Sequence, residues 1–163
     1  MSELKALMMA APGTTLSVAE SLTCGRLQSR IGAISGASNF FLGGLTAYSL
    51  EQKISLLGVD RAEAVATNCV SEKVAVQMAR GVRKLFGSDV GVATTGYAEP
   101  SPEQGVTDPF AWWAVCRGST SGEPVVMTGR VSFPGLPRVE VQERVAQVAY
   151  DALLESLRAP AAR

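Results

Sequence analysis

Thr15-Leu16-Ser17-Val18-Ala19-Glu20-Ser21-Leu22-Thr23-Cys24-Gly25 opens the stretch whose reading decides the fold. Residues 15–19 alternate and are β-branched enough for a strand. The run then empties into hydroxyls and a glycine, and Leu27, Ile31 and Ile34 follow on one helical face. A second strand reads over Gly43 to Ser49, and Lys53 lies five residues beyond its Tyr48. A strand, a helix and a strand in that order are the unit from which α/β sheets are built.

Working outward, Leu4, Leu7, Met8 and Ala11 have helical spacing, and Pro12-Gly13 ends that helix. After the stretch, Leu50–Leu57 and Arg61–Thr67 read as short helices, the second capped by Asp60. Ser71 caps a longer helix with the stripe Ala75, Met78, Ala79, Val82, Leu85 and Phe86, and Gly87 stops it. Asp89–Thr95 is a short apolar strand, and residues 96–109 form a loop rich in Gly, Pro, Ser and Glu. Phe110–Arg117 and Val125–Phe133 read as a hairpin, and Arg138–Arg158 as an amphipathic helix with Val141, Val145, Val148, Ala152 and Leu153 inward. The pattern predicts one domain over residues 1–163, a three-layer α/β/α sandwich on a mixed, mostly parallel sheet of about five strands.

Composition narrows the partners. With 15 basic and 15 acidic side chains among 163 residues, the charge is balanced and no basic run exists, so neither nucleic acid nor a membrane surface is expected. No apolar run approaches the ~18 residues of a membrane span, and the N-terminus lacks a secretory pattern, so a cytoplasmic location is expected. Cys24, Cys69 and Cys116 are odd in number and far apart, which argues against disulfides and against a zinc site; Cys69 and Cys116 read as core packing. No metal or cofactor is expected. The chain has no histidine, so any general base is a lysine, a carboxylate, a tyrosine or water.

Three constellations can carry chemistry. At Glu20–Gly25, the hydroxyls of Ser21 and Thr23 can join helix N-terminal amides around an anion, although plain N-capping is the commoner use of such residues. Thr95-Gly96-Tyr97-Ala98-Glu99-Pro100 follows a second strand and can offer a hydroxyl and an amide to a ligand, or serve as an ordinary turn. Ser38, Tyr48 and Lys53 combine a hydroxyl, a phenol and an amine; lysine serves serine as base when its pKa is depressed.

The order of these motifs resembles the C-terminal domain of the CinA (competence/damage-inducible) proteins and their stand-alone relatives, the PncC-type nicotinamide mononucleotide deamidases. The family pattern A-E-S-x-T-G-G is met by Ala19-Glu20-Ser21-Leu22-Thr23, and G-S-S by Gly36-Ala37-Ser38. Gly44 through Tyr48-Ser49 to Lys53, then Cys69-Val70-Ser71-Glu72, then Thr95 through Pro100 continue the match in the same element order. The resemblance implies a metal-free amidohydrolase that converts nicotinamide mononucleotide to nicotinate mononucleotide and ammonia. It implies Ser38 as nucleophile, Lys53 as its base, and Tyr48 as an aid to proton transfer. Ser21, Thr23, Thr95, Gly96 and Arg138 become substrate contacts, and Gly43-Gly44 a source of oxyanion donors. The partner implied is a small pyridine nucleotide or related amide, and a homo-oligomer is expected.

The chain also departs from the family. Cys24 replaces a glycine, Glu99 replaces the second glycine of T-G-I-A-G-P, Phe110 stands for another glycine, and Pro137 occupies an arginine position with Arg138 one place on. Facing a nucleotide phosphate at ~5–6 Å in a dielectric of ~20, Glu99 would cost a few kcal/mol before screening. These departures motivate an alternative: a catalytically silent relative that binds a small ligand or serves as an oligomeric scaffold.

Overall fold

The computed structural model describes residues 2–119 and 122–159. Five strands form one sheet in the order β2-β1-β3-β4-β5. They are β1 (Leu16–Glu20), β2 (Phe41–Thr46), β3 (Val90–Tyr97), β4 (Phe110–Arg117) and β5 (Val125–Ser132). The β1–β2 and β1–β3 pairs are parallel, and β3–β4 and β4–β5 are antiparallel, so β4 alone runs against the other four. The helices are α1 (Glu3–Ala10), α2 (Arg26–Gly32), α3 (Leu50–Leu57), α4 (Arg61–Ala66), α5 (Glu72–Phe86) and α6 (Arg138–Arg158).

Side-chain alternation sends each strand's residues to two cores. Leu16, Val18, Val90, Val92, Trp113 and Val115 face α1, α2 and α6. Ala19, Ala93, Ala114 and Cys116 face α3, α4 and α5. The second face is built of small residues, and α5 sits close against it: a Cβ on Gly91 would lie 2.2 Å from the Ala79 carbonyl oxygen. The adjacent tryptophans divide as a strand requires, with Trp113 in the first core and Trp112 against the second.

The expected caps form. Asp60 accepts from the Glu63 amide at 2.9 Å, and Ser71 from the Val74 amide at 3.1 Å. Three expectations shift. The second strand begins two residues earlier and ends at Thr46, which leaves Ala47, Tyr48 and Ser49 as a connection into α3. Leu85 turns outward and is exposed, because the stripe of α5 ends its contact with the sheet at Val82 and Phe86. Gly96 and Tyr97 belong to β3 rather than to the loop.

Sheet order and crossovers fix where a ligand fits. β1 leads through α2 to β2, and β2 leads over the opposite face through α3–α5 to β3. The chain therefore departs to opposite sides around the carboxyl ends of β1 and β3. In open α/β sheets that divergence is where ligands bind.

Candidate active site

A cleft of about 280 Å³ opens at those carboxyl ends. Ser21 and Leu22 enter it from the end of β1, and Thr95 to Pro100 from the end of β3. Tyr48, Leu50 and Lys53 come from the β2–α3 segment, Asn68 to Val70 from the α4–α5 turn, and Arg138 from the start of α6.

The β1–β3 register makes the floor. Glu20 lies opposite Thr94, and the Ser21 amide donates to the Thr94 carbonyl at 3.1 Å. That brings Ser21 and Thr95 side by side although they are far apart in sequence. Ser21 is 6 % exposed, and its hydroxyl has no hydrogen-bond partner among the described residues. The Thr95 hydroxyl is committed: it donates to the Cys69 carbonyl at 2.7 Å.

Lys53 is 3 % exposed, a charged side chain taken almost wholly out of water. Its Nζ donates to the Tyr48 carbonyl at 2.9 Å. Burial pushes its pKa below the ordinary lysine range, and the nearby Cys69 thiol opposes that shift only in part. Burial likewise raises the Cys69 pKa. Asn68 and Cys69 both adopt left-handed backbone, φ 48° and 62°, which turns the Cys69 carbonyl toward Thr95. Cys69, expected as core packing, is thus also part of the cleft wall.

Arg138 bridges the rim. One guanidinium nitrogen donates to Glu99 at 2.5 Å and the other to the Tyr48 hydroxyl at 2.7 Å. The base of α6 is anchored beneath this bridge: Gln142, buried, donates to the Leu22 carbonyl at 2.8 Å, and Val141 and Val145 pack on Leu22, Ala98 and Ala111.

Several expected site residues lie elsewhere. Ser38 is exposed on a turn of 3-10 helix, Ala37–Asn39, that precedes β2, whereas Lys53 follows β2. A six-residue strand separates them, roughly 20 Å at the rise of a strand. The two do not meet, because a spacing that carries a whole strand puts them at opposite ends of that strand. Thr23 is buried below the cleft, where its hydroxyl pairs with that of Thr94 at 2.8 Å. Gly43 and Gly44 are not oxyanion donors at the cleft but packing positions on β2: a Cβ at Gly44 would lie 2.7 Å from the Val18 carbonyl and 2.8 Å from Gln28. Gly96 does line the cleft, and a Cβ there would strike the Phe110 carbonyl at 2.4 Å across the β3–β4 pair.

The anion site expected at the start of α2 is filled from within. Glu20 is fully buried, and its carboxylate accepts from the amides of Gly25 and Leu27 at 3.1 Å and of Gln28 at 2.8 Å. Two signals for this role stood in the sequence: an acid ending a buried strand, and a helix beginning six residues on. Of the departures, Cys24 and Phe110 do not line the cleft. Phe110 packs on Tyr97 with the rings tilted at 52°, and lies under the Arg130 guanidinium. Among the described residues no three His, Cys, Asp or Glu side chains gather as a metal site, and no helix is long and apolar enough to cross a membrane.

The sequence model of the CinA C-terminal domain family matches residues 1–157. A CinA-like protein of Gemmatimonas aurantiaca is 41 % identical over 157 residues, covering 93 % of this chain and 35 % of its own. A CinA-like protein of Chlorobaculum tepidum is 45 % identical over 113 residues, 68 % of this chain and 25 % of its own. The chain thus spans about a third or less of the length of these curated relatives. Among solved structures, a CinA superfamily protein from Enterobacter cloacae superposes with a TM-score of 0.86 at 29 % identity, covering 95 % of this chain and 88 % of its own. One from Klebsiella pneumoniae 700603 gives 0.84 at 29 %, covering 96 % and 94 %. The chain belongs to the CinA C-terminal domain family.

Proposed function

We propose that this domain is a histidine-free amidohydrolase acting on the carboxamide of a pyridine nucleotide or related amide, with Ser21 as nucleophile and Lys53 as general base. The observation that carries the reading is a buried lysine with a depressed pKa in the same cleft as a buried, uncommitted serine hydroxyl. Desolvation keeps a share of Lys53 neutral, and a neutral amine can take the serine proton. The Ser21 Oγ–carbon bond forms as that proton passes to Lys53 Nζ. The carbon–nitrogen bond then breaks as Lys53 returns the proton to the departing ammonia. Water, deprotonated by the same amine, releases the acid and restores Ser21. Lys53 is held to its task by the main chain of Tyr48 rather than by the phenol, which is engaged by Arg138.

The silent alternative loses the support of Phe110, which lies outside the cleft, whereas Glu99 lines its exposed rim. Ammonia release from nicotinamide mononucleotide and from a panel of simple carboxamides tests the proposal. Ser21→Ala is expected to lose at least ~10³-fold in turnover, while Ser38→Ala retains wild-type activity. Turnover surviving in Ser21→Ala, or lost in Ser38→Ala, overturns it.

A further inference from the structure

The cleft's charges are already spoken for. Among the described residues, its titratable lining consists of Tyr48, Lys53, Cys69, Tyr97, Glu99, Glu103 and Arg138. Only two are cations. Lys53 is spent on the Tyr48 carbonyl and on base chemistry that needs it neutral. Arg138 is spent on Glu99 and the Tyr48 hydroxyl. Against them stand two carboxylates, and Glu103 is held ionised by the Ser101 hydroxyl. The nearby helix start that would ordinarily welcome an anion has its amides filled by Glu20. A phosphate dianion entering this cleft meets no uncommitted cation among the described residues, and it must compete with Glu99 for Arg138.

We infer that, granted the amidase reading above, the Glu99–Arg138–Tyr48 bridge favours a carboxamide without a phosphate, carried on a neutral or cationic ring, over phosphorylated ones. Glu99 neutralises the Arg138 guanidinium at the rim, and Glu103, in no ion pair among the described residues, leaves a negative charge at the cleft mouth. Like charge at close range is a strong means of rejecting a partner. A positively charged ring, by contrast, is attracted to the Glu103 carboxylate.

Nicotinamide mononucleotide and nicotinamide riboside differ only in the phosphate and make a matched pair. Competition between them is measured as the ratio of kcat/KM, and in parallel as the ratio of Kd by calorimetry on Ser21→Ala. The wild type is expected to favour the riboside at least about tenfold in both, and Glu99→Gln to move each ratio about tenfold toward the mononucleotide. Arg138→Gln separates this account from one in which Arg138 swings to the phosphate: it is expected to leave the mononucleotide no worse relative to the riboside. A wild-type preference for the mononucleotide, an unmoved ratio in Glu99→Gln, or a selective loss of the mononucleotide in Arg138→Gln overturns the inference. If neither compound is hydrolysed, the amidase reading fails by itself and the Kd ratio still decides the charge selection; no binding of either overturns both.

Discussion

The Nζ of Lys53 reaches back 2.9 Å to the carbonyl oxygen of Tyr48, so the connection from β2 into α3 holds its own buried lysine. The first consequence is a pH profile. Burial lowers the Lys53 pKa, so its neutral form accumulates below the ordinary lysine value of ~10.4. As pH rises through that depressed pKa, kcat/KM is expected to climb along a single ionisation. A Ser21→Ala background titrated by NMR should show the same ionisation for Lys53. A profile that is flat, or that falls with rising pH in this range, contradicts the assignment of Lys53 as base.

The same burial predicts a cost in stability. A lysine whose folded-state pKa lies below its unfolded value binds fewer protons folded than unfolded between the two values. Stability therefore rises with pH across that window, and the penalty is fully present below the folded pKa. Lys53→Met fills the volume without a charge, so it is expected to stabilise the domain by about 1 kcal/mol at neutral pH while abolishing turnover. Chemical denaturation of both proteins near neutrality and in mild alkali checks this, with the difference shrinking at the higher pH.

Glu20 is the acid most exposed to misreading, since it sits beside the nucleophile yet is wholly buried and points away into α2. Its carboxylate gathers three amides at the start of a short helix. Glu20→Ala strands those donors in the interior and is expected to cost about 3 kcal/mol. In a domain of this size that lowers Tm by roughly 10 °C. Scanning calorimetry measures it, and a loss of activity with no loss of Tm would instead make Glu20 a participant in the chemistry.

Local pattern told most of the fold. The stripe of α5 apart from Leu85, the caps at Asp60 and Ser71 and the two-faced Trp112-Trp113 pair all follow from spacing and side-chain type, and the structure carries each of them. What the sequence could not convey is convergence. Ser38 and Lys53 look near because fifteen positions separate them, but a strand lies between, whereas Ser21 and Thr95 look remote and are joined by the β1–β3 register. Pairing partners across a sheet leave no mark in the spacing of a single chain. Gly43 and Gly44 mislead for a related reason: a glycine needed for backbone approach to a ligand and one needed for packing on Val18 and Gln28 read alike until the neighbours are known.

Cys24 carries a left-handed backbone, φ 49°, on an exposed turn just before α2. A side chain in that region costs about 1–2 kcal/mol. Glycine removes this strain and gives back part of it as chain entropy. Cys24→Gly is expected to stabilise by about 0.5 kcal/mol. Because Cys24 does not line the cleft, kcat/KM for any hydrolysed amide should be unchanged. Urea denaturation together with a turnover assay tests both halves, and a change in KM would place the residue nearer the ligand than its geometry allows.

Gly81 lies mid-helix in α5, where glycine is unfavourable by about 1 kcal/mol relative to alanine. The reason for it is the end of α3: a Cβ at Gly81 would lie 2.0 Å from the Leu57 carbonyl oxygen and 2.8 Å from the Leu57 Cα. Backbone cannot yield as a side-chain tip can, so Gly81→Ala must push α3 outward. The helix propensity gained is small beside the overpacking cost of about 1–3 kcal/mol, so the variant is expected to be net destabilised. The displaced helix is the one that bears Lys53, four residues before Leu57. Activity should therefore fall further than stability alone explains, with the loss in kcat rather than in KM, because the base moves relative to Ser21 while the rim at Arg138 stays in place. Steady-state kinetics well below the variant's Tm, paired with thermal unfolding, separates the two effects. Wild-type kcat in a destabilised Gly81→Ala would show that the position of α3 does not set the alignment of Lys53.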